Sequence, residues 1–282
     1  MRISEFEAFP APAKLNLMLK VVGRRADGYH LLETVFRFVD YCDTIDLAVR
    51  DDGQILLHNP IDGVEPERDL TVRAARLLQR ESGTALGAEI RLTKRIPMGG
   101  GLGGGSSDAA TVLLALNRLW RTGLSRERLM ALGVTLGADV PVFVFGRNAF
   151  ATGIGENLTA LSLPEKWYVV LHPGVHVPTS EIFSSPLLTR NSKPSIMPIL
   201  ETTQQAANDL QSVVTRLYPA VNAALDELKK HGSPLMTGSG SCVFLECGTE
   251  DEAAKIFRVV SERFDGFVAR GLGHHPMMSD TD

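Results

Sequence analysis

Four places in this 282-residue chain have residue types and spacings suited to chemistry. The most conspicuous is a glycine-rich stretch formed by Pro97, Met98, Gly99, Gly100, Gly101, Leu102, Gly103, Gly104, Gly105, Ser106 and Ser107, with Asp108 next. Glycines let backbone N–H groups approach a ligand closely, and an adjoining helix N-terminus adds unpaired N–H groups and a positive dipole end. That combination is an anion site, most often for phosphate. Lys14 and Asn16 lie two apart in the alternating run from Ala13 to Val21. Asparagine is depleted in strands because its amide competes for backbone hydrogen bonds. The plain account is a solvent-facing side with a lysine guarding an edge. Asp139 is enclosed by Gly137, Ala138, Val140 and Pro141, where a charge is expensive. Its plain role is a helix N-cap or a turn. Tyr29 and His30 follow an Asp27-Gly28 turn and, on local grounds alone, cap the next strand.

The elements that must hold these residues are legible in outline. Ala13, Leu15, Leu17, Leu19 and Val21 share one face of a strand; Lys14, Asn16, Met18 and Lys20 share the other. Strand-like alternation recurs over 34–40 and 43–50, with Ile55-Leu56-Leu57 after a turn. Leu70, Ala74, Leu77 and Leu78 predict a helix ended by Gly83, and Glu89–Ile96 predicts a strand running into the glycine stretch. Behind that stretch, Ala109, Val112, Leu113, Leu116, Leu119 and Trp120 have helical spacing, so a helix is expected to start near Ser106 or Ser107 with serine as its cap. Ser125 caps a further short helix. Strands, helix, strand, loop and helix in that order imply a mixed sheet with helices on one side. Pro164 marks a boundary, giving domains at 1–163 and 164–282. The second opens with a buried strand at Trp167–His172, followed by Thr179 and Phe183, for which a core position is the plain reading. Residues 184–205 read as a long polar loop, after which an Asn208-Asp209-Leu210 cap starts a helical run that Pro219 interrupts. A second glycine turn at Gly238-Ser239-Gly240, a helix over 250–264 and a strand near 267–269 complete a ferredoxin-like alternation. His274 and His275 point apart, and a frayed terminus is expected there rather than a metal site.

Composition narrows the function classes. The formal net charge is −4 with no basic run, so a nucleic-acid footprint is lacking. No apolar stretch approaches membrane-spanning length, and the first residues carry no signal-peptide core. Three cysteines, Cys42, Cys242 and Cys247, lack metal spacing and read as reduced thiols of a cytoplasmic protein. No protein ligand for a metal is identified. Monomer and homodimer are both open.

Which phosphate loop is present can be decided by elimination and then by likeness. The Walker pattern fails because its lysine is missing. Gly99-x-Gly101-x-x-Gly104 matches a dinucleotide fingerprint, but no Asp or Glu lies between Ala109 and Arg126 to hold a ribose. Pro-x-x-x-Gly-Leu-Gly-Gly-Gly-Ser-Ser-Asp-Ala-Ala instead resembles the ATP loop of the galactokinase, homoserine kinase, mevalonate kinase and phosphomevalonate kinase superfamily, the GHMP kinases. Pro12-Ala-Lys-Leu-Asn-Leu, Gly28-Tyr29-His30 and Gly137-Ala-Asp-Val-Pro141 resemble its isoprenoid-pathway branch.

The resemblance implies an α+β fold, with an N-terminal domain like ribosomal protein S5 domain 2 and a ferredoxin-like C-terminal domain. It implies ATP-dependent phosphorylation of the 2-hydroxyl of 4-diphosphocytidyl-2-C-methyl-D-erythritol, a small-molecule substrate, in non-mevalonate isoprenoid synthesis. Asp139 would be the general base and Lys14 its counter-charge, with Asn16 near the substrate. Tyr29 would stack on the cytosine and His30 bond its edge, with Phe183 on the opposite face and Thr179 in the closing segment. The glycine loop through Ser107 would hold ATP, and magnesium is expected on the ATP phosphates. A sister kinase for mevalonate, homoserine or a sugar, or a catalytically inactive nucleotide-binding protein, are the rival readings.

Overall fold

The computed structural model describes residues 2–195 and 207–278. Its organising element is a long antiparallel hairpin, β1 (Glu7–Arg24) paired with β2 (His30–Arg50). The register slips between Pro12 and Ala13, between Asn16 and Met18, and between Val21 and Gly23. Each slip inserts a bulge that re-aims the side chains after it. The solvent-facing side that alternation alone would give β1 therefore does not exist: Lys14, Asn16 and Met18 are as buried as Ala13, Leu15 and Leu19. One face of β1 meets the C-terminal half of the chain, and the other lines a cleft.

β2 also pairs with β4 (Gly87–Thr93) and β5 (Ala149–Thr152), while β3 (Ile55–Leu57) joins β4 in parallel and β6 (Asn157–Ala160) joins β5. The sheet is six-stranded and mixed. Four helices cover it: α1 (Leu70–Ser82), α2 (Gly104–Leu119), α3 (Arg126–Val134) and α4 (Val140–Phe145). α1 follows its sequence signals closely. Asp69 Oδ1 accepts from the Thr71 N–H at the start, and Gly83 ends the helix in the left-handed region at φ 66°. Ala109, Val112, Leu113 and Leu116 of α2 supply the core of this layer with Phe38, Leu78 and Phe143.

The second sheet, in the order β10-β7-β9-β8, is antiparallel throughout. It comprises β7 (Trp167–His172), β8 (Leu235–Met236), β9 (Val243–Cys247) and β10 (Asp265–Arg270). Its helices are α5 (Thr179–Ser184), α6 (Gln211–Leu217), α7 (Pro219–Leu228) and α8 (Glu250–Val260). Pro219 separates α6 from α7, as its missing N–H requires. Asn208 does not cap α6 from the N-cap position, which Leu210 occupies; its Oδ1 accepts from the Leu210 N–H at 2.9 Å. The expected loop over 184–205 is described only to residue 195.

The two layers share a core. Ala13, Leu15 and Val39 of the hairpin and Ile96 and Leu102 beside the glycine turn pack with Tyr168, Val170, Phe244 and Phe267 of the second sheet. Residues 271–278 cross back onto the first layer. Asn148, fully buried, accepts from the Phe38 N–H at 2.9 Å and donates to Leu272 O at 2.7 Å, while His275 N–H donates to Gly146 O. The frayed terminus expected at the histidine pair is not what forms, because His275 is completely buried and edge-on to Phe38.

Candidate active site

The glycine stretch turns its carbonyls inward and leaves its amides free. Gly99 O, Gly100 O and Leu102 O accept from the N–H groups of Ser241, Cys242 and Lys14, and Gly101 O accepts from Lys14 Nζ and Thr237 Oγ1. The N–H groups of Gly99 through Ser106 donate to no atom among the described residues. The helix starts earlier than the serines suggested. Gly103 is the N-cap at φ 73°, with no side-chain oxygen closing the end. An uncapped N-terminus with free amides is built for an anion.

These residues wall a cleft of about 600 Å³, a size suited to a nucleotide-scale ligand. Of the expected loop residues, Pro97 to Ser106 all line it and Ser107 does not. At about 100° per residue, Ser106 and Ser107 cannot face the same way. Ser107 points into the protein, where its Oγ is buried without a partner among the described residues.

Across the cleft, Asp139 sits where α4 begins but makes no cap bond. Its Oδ2 lies 3.2 Å from Lys14 Nζ, with the aspartate side chain 34% exposed and the lysine 3%. Lys14 also donates to Asn16 Oδ1 at 2.6 Å and to Gly101 O at 2.9 Å, so one ammonium ties the acid, the hairpin and the glycine loop together. Asn16 is held in turn: its Nδ2 donates to Thr34 Oγ1 at 2.8 Å, and its backbone N–H donates to Thr237 Oγ1 at 3.0 Å. What Asn16 visibly does is orient Lys14.

Sequence reasoning missed Thr34 and Thr237 in this network. Thr237 stands directly before the second glycine turn, whose backbone is packed on the first: a Cβ on Gly101 would come within 2.2 Å of Thr237 O. It also missed the cluster behind the loop, where Lys94 pairs with both Asp43 and Asp108 and Asp43 Oδ1 accepts from the Ile96 N–H at 2.8 Å. Burial raises the Asp108 carboxyl to about 7, with Lys94 opposing and Asp43 reinforcing the shift.

At the other end of the cleft, Thr179 and Phe183 line the wall, and Thr179 Oγ1 and Ser239 Oγ share a hydrogen bond of 2.7 Å. The Phe183 ring packs on His30 with centroids 5.0 Å apart. Tyr29, expected opposite Phe183, is 61% exposed; neither it nor His30 lines the cleft, although His30 packs against Phe183, which does. The turn at Gly28, with φ 92°, carries Tyr29 outward before β2 begins.

Two family descriptions match the chain: the GHMP kinases N terminal domain over residues 69–147 and the GHMP kinases C terminal over residues 186–266. The 4-diphosphocytidyl-2-C-methyl-D-erythritol kinase of Chromobacterium violaceum is 66% identical over 280 residues, 98% of this chain and 99% of that one. The enzyme of the same name from Thiobacillus denitrificans is 56% identical over 96% of this chain and 97% of that one. A crystal structure of 4-(cytidine 5'-diphospho)-2C-methyl-D-erythritol kinase superposes with a TM-score of 0.82 at 36% identity, over 95% of this chain and all of that one. With its free-amide loop and its acid–lysine pair in one cleft, the chain belongs to the 4-diphosphocytidyl-2-C-methyl-D-erythritol kinase family of the ATP-dependent GHMP kinases.

Proposed function

We propose that the protein transfers the γ-phosphoryl group of ATP to the 2-hydroxyl of 4-diphosphocytidyl-2-C-methyl-D-erythritol, a step of isoprenoid synthesis. The observation that carries this reading is the placement of Asp139, paired with Lys14, in one cleft with eight unpaired loop amides, from Gly99 to Ser106. The amides and the α2 N-terminus hold the phosphate chain. The acceptor alcohol enters between them and Asp139, whose carboxylate takes the hydroxyl proton as the oxygen attacks phosphorus. Lys14 keeps the carboxylate in place and stabilises negative charge developing on the transferring group. His30 and Phe183 hold the base, with Thr179 at the closing wall and Tyr29 reaching the ring from outside the cleft.

Magnesium fits this site. Asp108 lines the cleft beside the loop, its buried Oδ1 has no partner among the described residues, and an oxygen donor beside a triphosphate suits that ion. When bound, it neutralises charge between the phosphates. No helix among the described residues is long and apolar enough to cross a membrane. Three free thiols fit a reducing cytoplasm.

The test is ADP release with ATP and each candidate acceptor in turn. Turnover with the cytidine-diphosphate ester and none with mevalonate, homoserine or a sugar is expected. Turnover with one of those, or with none, overturns the reading. His30→Ala should raise KM for the cytidine substrate and leave KM for ATP unchanged.

A further inference from the structure

The polar segment after α5 contains an arginine that nothing in the sequence singles out. Arg190 is part-buried and commits four of its five N–H donors locally. Nη2 donates to Phe183 O at 2.9 Å and Ser185 O at 2.7 Å, and Nη1 donates to Leu188 O at 3.0 Å. These carbonyls lie at and beyond the C-terminal end of α5, the helix that carries Phe183. The Arg190 Nε–H donates to His30 Nε2 at 3.0 Å. One side chain thus holds both rings of the base site, whose centroids are 5.0 Å apart.

The bond to His30 has a chemical consequence. Arginine has only donors, so His30 Nε2 must present its lone pair. A neutral imidazole then carries its one proton on Nδ1, and Nδ1 has no partner among the described residues. A second proton on the ring would set an imidazolium against the guanidinium. Burial first, then Arg190 and Arg24, lower the His30 pKa accordingly. The ring is a fixed N–H donor.

We propose that Arg190 is a positioning residue that makes the site selective for cytosine over uracil, by fixing the His30 tautomer while anchoring the α5 end that carries Phe183. Cytosine N3 is an acceptor and meets an N–H; uracil N3 bears its own proton and meets it donor to donor. A buried donor left facing a donor is expensive, whereas two well-matched partners are not. This inference rests on the cytidine reading above.

The experiment compares kcat/KM for the cytidine-diphosphate ester and its uridine counterpart in the intact enzyme and in Arg190→Met. The unaltered enzyme should prefer cytidine by about a hundredfold or more. Arg190→Met frees the ring to take either tautomer, so the preference should fall by about tenfold or more, chiefly through KM for the cytidine ester. KM for ATP should not move. An unchanged preference in Arg190→Met overturns the inference alone. An unaltered enzyme without any cytidine preference overturns the cytidine reading with it. If Arg190→Met does not fold, ¹⁵N NMR of His30 in the unaltered protein decides: a proton on Nδ1 supports the assignment, and a proton on Nε2 overturns it.

Discussion

Lys14 Nζ stands 3.2 Å from Asp139 Oδ2 although the two residues are far apart in the chain, one on a strand and one at a helix start. The lysine is buried and the acid is open to the ligand. This asymmetry separates their substitutions. Asp139→Asn removes the base and leaves the Lys14 ammonium held by Asn16 Oδ1 and Gly101 O alone. The kcat should therefore fall by about 10²- to 10⁴-fold, with ATP affinity nearly unchanged and a smaller loss of melting temperature than Lys14→Met. A near-normal rate rejects Asp139 as base.

Lys14→Met leaves Asn16 Oδ1 and Gly101 O without their donor and Asp139 without its counter-charge. It should lower kcat at least as far and also cost stability, on the order of 2–4 kcal/mol, because buried acceptors lose their partner. Urea denaturation alongside steady-state kinetics distinguishes it from Asp139→Asn; an unchanged midpoint would contradict the network described here.

The two glycine turns give a steric prediction. Gly101 has φ 73°, and a Cβ there would lie 2.2 Å from Thr237 O, a backbone atom that cannot step aside. Gly103 has the same φ, but its Cβ would meet Phe143 Cζ at 2.9 Å and Lys14 Cε at 3.1 Å, which are side-chain atoms. Both alanine variants carry left-handed strain of order 1 kcal/mol. Gly101→Ala should be the less stable by thermal melt, while Gly103→Ala should show the larger loss of kcat relative to its loss of stability, because it pushes on Lys14. The reverse order would mean that the turns are not packed as described.

Two buried groups give opposing pH dependences. Burial, then the neighbouring His274, pushes His275 down to about 3. Unfolded, it titrates near ~6.5, so between those values only the unfolded chain holds the proton and stability rises with pH, by roughly 1.4 kcal/mol per unit. Asp108 is shifted up to about 7, so from about 4 upward the folded chain holds the extra proton and stability falls as pH rises through that value. Over the shared window of about pH 4 to 6.5 the two slopes oppose. Relative to the unaltered protein, His275→Leu should tilt the stability profile downward with increasing pH, and Asp108→Asn should tilt it upward. Denaturant midpoints across the window measure both; parallel profiles would rule out these assignments.

The sequence disclosed its strong local signals and hid what depends on register. Asp69 and Gly83 bracket α1, Ser125 caps α3 by accepting from the Arg128 N–H at 3.3 Å, and Pro219 splits two helices as its chemistry demands. The glycine loop and Asp139 were legible because few other structures need those residues in that order. The burial of Lys14 and Asn16 was not, because a period-two pattern assumes an unbroken strand and β1 slips three times. Serine caps were expected for α2, yet a side-chain cap would occupy the amides the site leaves free. Arg190 was invisible because its partners, His30 and three carbonyls, are set by a fold of the loop that carries no periodicity.

The strap formed by residues 271–278 has a consequence for how the molecule is made. His275 plugs the layer that β1 and β2 begin, and Asn148 waits for Leu272 O to complete its bonding. A nascent chain whose first 163 residues have left the ribosome therefore still exposes the slot for that plug, and its first sheet can seal only after synthesis has passed His275. Maturation of the catalytic cleft is thereby tied to arrival of a segment built well after the half that bears most of its walls.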